Sequence, residues 1–192
     1  MRKHFFASLM IVFIAAMAFA YYSKLSRVHQ RVYRDSDDIP TLELPEGADV
    51  TAPVAAILAG LQREDRTAVQ RACQALVDVL VAGYGVPPVR VRVLAKRPSD
   101  DYGELHGLYE PDEEITPARI TAWMRTAQRK QVVAFKSFLR TVVHEFTHHL
   151  DYEHFKLPET FHTEGFYRRE SSLANALLAT LESSVPVQGA PR

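Results

Sequence analysis

Apolar residues recur at three- and four-residue intervals through "PVAAILAGLQ" (53–62) and "REDRTAVQRACQALVDVLVAGYG" (63–85), which predicts two helices. Gly83 and Gly85 end the second, and Pro87-Pro88 block its continuation. The period then changes. "VRVRVLAK" (89–96) alternates apolar and charged residues, as a half-buried strand does. "ELHGLYE" (104–110) and "ARITAWMRT" (118–126) read as two more short strands, spaced for an antiparallel pair. A helical period returns in "FLRTVVHEFTHHLDYEHF" (138–155), with Ser137 expected as its N-cap and Leu157-Pro158 as its stop. "FYRRESSLANALLATL" (166–181) is a last amphipathic helix. Helices, then strands, then helices predict an α+β domain over residues 50–182, its helices packed on a short, mostly antiparallel sheet.

The ends of the chain carry other patterns. Residues 23–49 mix charges with two prolines and few paired apolar positions, so they read as a linker or irregular lead-in. Residues 183–192 read as a frayed tail. A basic start (Arg2, Lys3) precedes a run free of charged residues from 5 to 22. Such an N-terminal hydrophobic helix is an export signal or a membrane anchor. The A-x-A pattern Ala18-Phe19-Ala20 allows cleavage before Tyr21, and the run almost spans a bilayer core of about 30 Å. Either reading places the domain outside the cytoplasm.

Composition narrows the function classes. Of 192 residues, 47% are hydrophobic and 24% charged, which suits a folded domain. Lys+Arg and Asp+Glu both number 23, so no basic excess points to nucleic acid. The single cysteine, Cys73, has no internal disulfide partner and reads as core packing.

One stretch does not fit a plain core helix. "TVVHEFTHHLDYE" (141–153) places His144, Glu145, His148, His149 and Asp151 among apolar neighbours, although buried polar groups are costly without partners. On a helix, residues four apart share a face. His144 and His148 have that spacing and can grip one Zn²⁺. Glu145 is one step from the first ligand, so its carboxylate reaches the water that such a metal activates. This is the H-E-x-x-H arrangement of a zinc hydrolase, with Glu145 as general base.

A catalytic zinc site needs a third protein ligand. His162, in "ETFHTEGFY", is the leading candidate, because a short connection can fold the last helix back onto the first. Glu170 is the alternative. Asp151 lies on the metal-facing stripe but further along the helix, where it is expected to brace a ligand histidine through its other ring N–H. His149 points off that face. His106, with Gly107 permitting close backbone approach, is a candidate for substrate or oxyanion contact, and so is Tyr167. Arg125, Arg140, Arg168 and Arg169 are possible partners of Asp151 or Glu170, or solvated.

"HEFTH" followed by "FHTEGFY" resembles the zincin metallopeptidases, and within them the small SprT-like, WLM-like and YgjP-like group. In that group H-E-x-x-H is followed by a histidine a few residues before an aromatic that opens the next helix, here His162 with Phe166 and Tyr167. The resemblance covers roughly residues 137–170. It implies a zincin-like fold, Zn²⁺ held by His144, His148 and His162, and Glu145 as base. The expected activity is a zinc-dependent hydrolase acting on a peptide or protein substrate, with possible membrane attachment through residues 5–22. The competing readings are a non-catalytic zinc-stabilised binding module and a membrane-tethered domain without metal.

Overall fold

A computed structural model describes residues 22–100, 103–112 and 116–183 of the chain. In chain order the elements are helices α1 (Arg27–Asp38), α2 (Thr51–Gln62) and α3 (Arg66–Tyr84), then strands β1 (Arg90–Lys96), β2 (Ser99–Asp100), β3 (Gly103–Glu104), β4 (Gly107–Glu110) and β5 (Arg119–Arg125). Helices α4 (Phe135–Glu153) and α5 (Glu164–Ser183) complete the set. The expected signal or anchor segment lies outside the described residues, apart from Tyr22, and so does the tail from 184. Among the described residues, no helix is long and apolar enough to cross a membrane.

The α+β architecture is as the residue pattern predicts, but the sheet is mixed rather than mostly antiparallel. Its strand order is β1-β5-β4. β4 and β5 form the antiparallel pair foreseen, with Tyr109 opposite Ile120. β1 lies parallel to β5, with Val93 opposite Ala122. The physical reason is placement: the chain leaves β1, returns along the far edge as β4, and turns back into the gap between them. β5 is therefore central, and its residues 120–124 are all buried. A continuous apolar run suits a strand covered on both faces.

The two sheet edges are treated differently. Glutamines of α3 close the β1 edge: Val91 N–H donates to Gln74 Oε1 (2.7 Å) and Val93 N–H to Gln70 Oε1 (3.0 Å). This blunts an edge that could otherwise pair with another chain. The β4 edge faces α4. That helix begins at Phe135, with Ala134 as a cap lacking a side-chain bond, so it starts earlier than the expected Ser137 cap. Helix α3 ends as foreseen, with Gly85 in the left-handed region at φ 64°. Cys73 is fully buried in α3, and burial pushes its thiol up to about 12.

A second correction concerns residues 23–49. Residues 27–38 are not an irregular lead-in but helix α1, capped by Ser26, whose hydroxyl accepts from His29 N–H. Only Val32, Tyr33 and Ser36 of α1 are buried. The helical period is present, a narrow buried stripe opposite a strongly charged face, but with so few apolar residues the charges dominate the segment. The stripe suffices because α1 packs against α5 and, through His29 and Tyr33, against Phe161 in the connection before it.

Candidate metal centre

Helix α4 is enclosed by the sheet, α5 and α2, so most of its faces are apolar; Phe138, Leu139, Val142, Phe146 and Leu150 are all buried. His144 and His148 are half-buried on the remaining stripe, one turn apart, at the floor of a cleft of about 1130 Å³. The connection after α4 brings His162 over them. Its Nε2 lies 2.9 Å from His144 Nε2 and 3.1 Å from His148 Nε2. The group of three offers ligand atoms all within 4.8 Å of one another.

The other ring nitrogens fix the tautomers. Glu170 Oε2 lies 3.0 Å from His144 Nδ1 and accepts its proton, while Glu170 Oε1 accepts from Arg140 Nε at 3.2 Å. His148 Nδ1 lies 2.8 Å from Thr160 Oγ1, and that hydroxyl donates to Asp151 Oδ2 at 2.9 Å. A hydroxyl has one proton. Since Thr160 gives its proton to the carboxylate, it must accept from His148 Nδ1–H. Both α4 imidazoles therefore turn lone pairs on Nε2 toward His162.

Three nitrogens so placed repel unless a cation joins them. Tetrahedral zinc with bonds of 2.0–2.1 Å sets its nitrogens about 3.3 Å apart. The observed spacings come near that value, and the donor set is one zinc favours. Two of the imidazoles, His148 and His162, are also held neutral, as ligation requires. Burial and then the two neighbouring histidines push His148 down to about 2. Burial and His144 push His162 down to about 4.

Glu145 stands on the cleft wall beside the triad. Its carboxylate passes close over Gly107 of β4: a Cβ there would lie 2.8 Å from both Cγ and Cδ of Glu145. The backbone N–H of Tyr109 donates to the carboxylate, but burial dominates and raises its pKa to about 7. A general base near neutrality is well matched to work at physiological pH.

The remaining candidates fall as follows. Glu170 sits behind His144 rather than among the converging nitrogens. Burial works to raise its pKa, yet the bonds from His144 and Arg140 together hold it below the usual carboxylate range. Asp151 braces His148 through Thr160 rather than directly, and its other oxygen accepts from Arg169 at 2.9 Å. Both Asp151 and Arg169 side chains are wholly buried. Of the four arginines considered, Arg169 takes Asp151 and Arg140 takes Glu170. His106 lines the cleft, its pKa lowered by burial and by Arg97. Tyr167 stacks on His162, ring centroids 5.9 Å apart, and lies outside the cleft lining. His149 faces away from the cleft, as read, but is far from idle: it bonds Pro87 and Tyr109. Thr160 and Tyr109 were not singled out as site residues. A threonine two residues before His162 carries no spacing signal of its own.

No family model, no curated protein and no solved structure matches this chain.

Proposed function

We propose that this protein is a zinc-dependent hydrolase of peptide bonds, a metallopeptidase of zincin type resembling the small SprT-like, WLM-like and YgjP-like group. The observation that supports it most is the convergence of His144, His148 and His162 at ligand spacing, with Glu145 on the adjoining wall. Zinc held by these histidines would supply Lewis acidity toward a substrate carbonyl and make water a usable nucleophile near neutral pH.

The rest of the chemistry belongs to the chain. Glu145 takes a proton from the attacking water at its carboxylate, and the C–N bond breaks as that proton passes to the leaving amine. Tyr109 N–H and the close fit over Gly107 fix where that carboxylate stands. Glu170 and Thr160 hold His144 and His148 in the tautomer that presents Nε2. Leu105 and Leu108 are exposed beside the site and would receive apolar side chains of an extended peptide. His106 lies on the same wall and would contact substrate. The charge-free run at residues 5–22 supports action outside the cytoplasm.

Glu145→Gln tests the reading. Zinc content, measured by metal analysis, should stay at one per chain while hydrolysis of a peptide library falls at least about a hundredfold. Unchanged turnover would remove Glu145 from the mechanism, and a wild-type chain without zinc would sink the proposal.

A further inference from the structure

Two of the three metal ligands are tied to a helix that precedes the domain. The links run through buried polar groups. From His148 they pass to Thr160, to Asp151 and then to Arg169, as described above. Arg169 goes on to α1: Nη1 donates to the carbonyl of Ser36 at 2.7 Å, and Nη2 to its hydroxyl at 2.9 Å. Ser36, Asp151 and Arg169 have no exposure. Ser36 Oγ also meets Thr163 Oγ1 at 3.1 Å, and Thr163, which follows His162, caps α5 by accepting from Phe166 N–H at 2.9 Å.

The end of α1 and the start of α5 are fitted backbone to backbone. Asp37 Oδ1 accepts from Gly165 N–H at 2.7 Å. A Cβ on Gly165 would lie 2.7 Å from Asp37 Cα, so a larger residue would drive the two helices apart. On the same side Tyr33 and His29 pack against Phe161, the residue before His162.

We propose that α1, through Ser36 and Asp37, positions His148 and His162, making the N-terminal helix a working part of the metal centre. This rests on the zinc reading. Ser36 and Asp37 touch neither metal nor substrate; they act as positioning residues. The geometry gives the reason. Arg169 is aimed by Ser36 through both Nη atoms; losing the hydroxyl takes one bond from the very Nη2 that holds Asp151 and leaves the Ser36 carbonyl to aim it through Nη1 alone. Asp151 then holds the Thr160 hydroxyl less firmly, and with it the bond that sets the His148 tautomer. Partners at this remove commonly change metal affinity about 10- to 100-fold.

The test uses the full chain and reads the metal rather than turnover. Zinc dissociation constants are measured by chelator competition for wild type, Ser36→Ala, Asp37→Ala and Asp37→Asn. The cobalt-substituted forms supply visible spectra that report ligand geometry. Helical content and melting temperature are followed in parallel. Ser36→Ala and Asp37→Ala should each weaken zinc about tenfold and shift the cobalt bands while the helical signal stays. Asp37→Asn keeps an acceptor for Gly165 and should restore affinity. Asp37 is only partly buried, so its variants carry the test even if Ser36→Ala fails to fold. Wild-type affinity and an unshifted cobalt spectrum in Asp37→Ala would overturn this inference alone. A wild-type chain that binds no zinc would overturn the zinc reading with it.

Discussion

The hydroxyl of Tyr109 lies 3.0 Å from Nδ1 of His149. Since His149 Nε2 lies 2.9 Å from the carbonyl of Pro87 and must donate there, Nδ1 accepts from the tyrosine. One buried imidazole thus ties the loop before β1 to the strand whose backbone N–H holds Glu145. His149→Phe keeps an aromatic ring at the position and removes the partner of the Tyr109 hydroxyl and the Pro87 carbonyl. Both bonds are only partly shielded from water, so their loss should cost about 0.5–1.5 kcal/mol each and the urea midpoint should drop accordingly. Turnover should fall further than zinc affinity, because the Tyr109 N–H of β4 fixes the Glu145 carboxylate while the ligand histidines are held from α5 and Thr160. Unchanged stability would show that β4 is held by other contacts.

That penalty should depend on pH. Burial lowers the His149 pKa, so the folded state favours the neutral ring while the unfolded chain titrates near an ordinary value of about 6.5. Its contribution is therefore fully present above pH 6.5 and is lost as pH falls below it toward the folded-state value. The stability difference between wild type and His149→Phe, both stripped of metal by a chelator, should be larger at pH 7.5 than at pH 5.5. A difference that grows on acidification would mean that the ring is charged in the fold.

Gly107→Ala addresses the base without altering its chemistry. The added methyl would meet the Glu145 carboxylate and force it or β4 aside. Hydrolysis should fall at least about tenfold, as small misplacements of a catalytic group commonly cause. Zinc content should hold at the wild-type value, since His144 and His148 are anchored from the opposite side. Equal loss of zinc and activity would point to collapse of the whole site.

Cys73 offers a probe of the core. It has no exposure, and burial pushes its thiol up to about 12, so almost no thiolate exists at pH 8. A chromogenic disulfide reagent should leave it unreacted for hours in the native protein and label it at once in guanidinium. Rapid native labelling would reveal local opening between α2 and α3.

What could be read from the sequence was what repeats locally. The i, i+4 spacing of His144 and His148 lies within one helix, so the residues alone place both on one face. His162 and Gly107 were readable because a short connection and a missing side chain limit what the backbone can do. The parallel pairing of β1 with β5 was not, since alternation in "VRVRVLAK" fixes which face is buried and is silent about the neighbour. Helix α1 escaped because its buried stripe is Val32, Tyr33 and Ser36, in which a serine serves as a core residue. Thr160 escaped, and Arg169 could be narrowed only to one of four arginines, for a related reason: a hydroxyl or a guanidinium gains its role from partners 9 and 18 residues away along the chain.

The wholly buried pairing of Asp151 with Arg169 has an evolutionary consequence. Losing either partner alone strands a charge at a cost of about 3–5 kcal/mol, a large share of the roughly 5–15 kcal/mol that holds a domain of this size together. Replacing both by apolar residues would avoid the stranded charge, yet it would leave Thr160 without its acceptor and buried Ser36 without its donor. Positions 36, 151, 160 and 169 are therefore open to drift only together. The neighbouring Arg168, exposed on the next face of α5, is free to vary by itself as far as that set is concerned. Two adjacent arginines that look interchangeable in the text of the sequence are under opposite constraints.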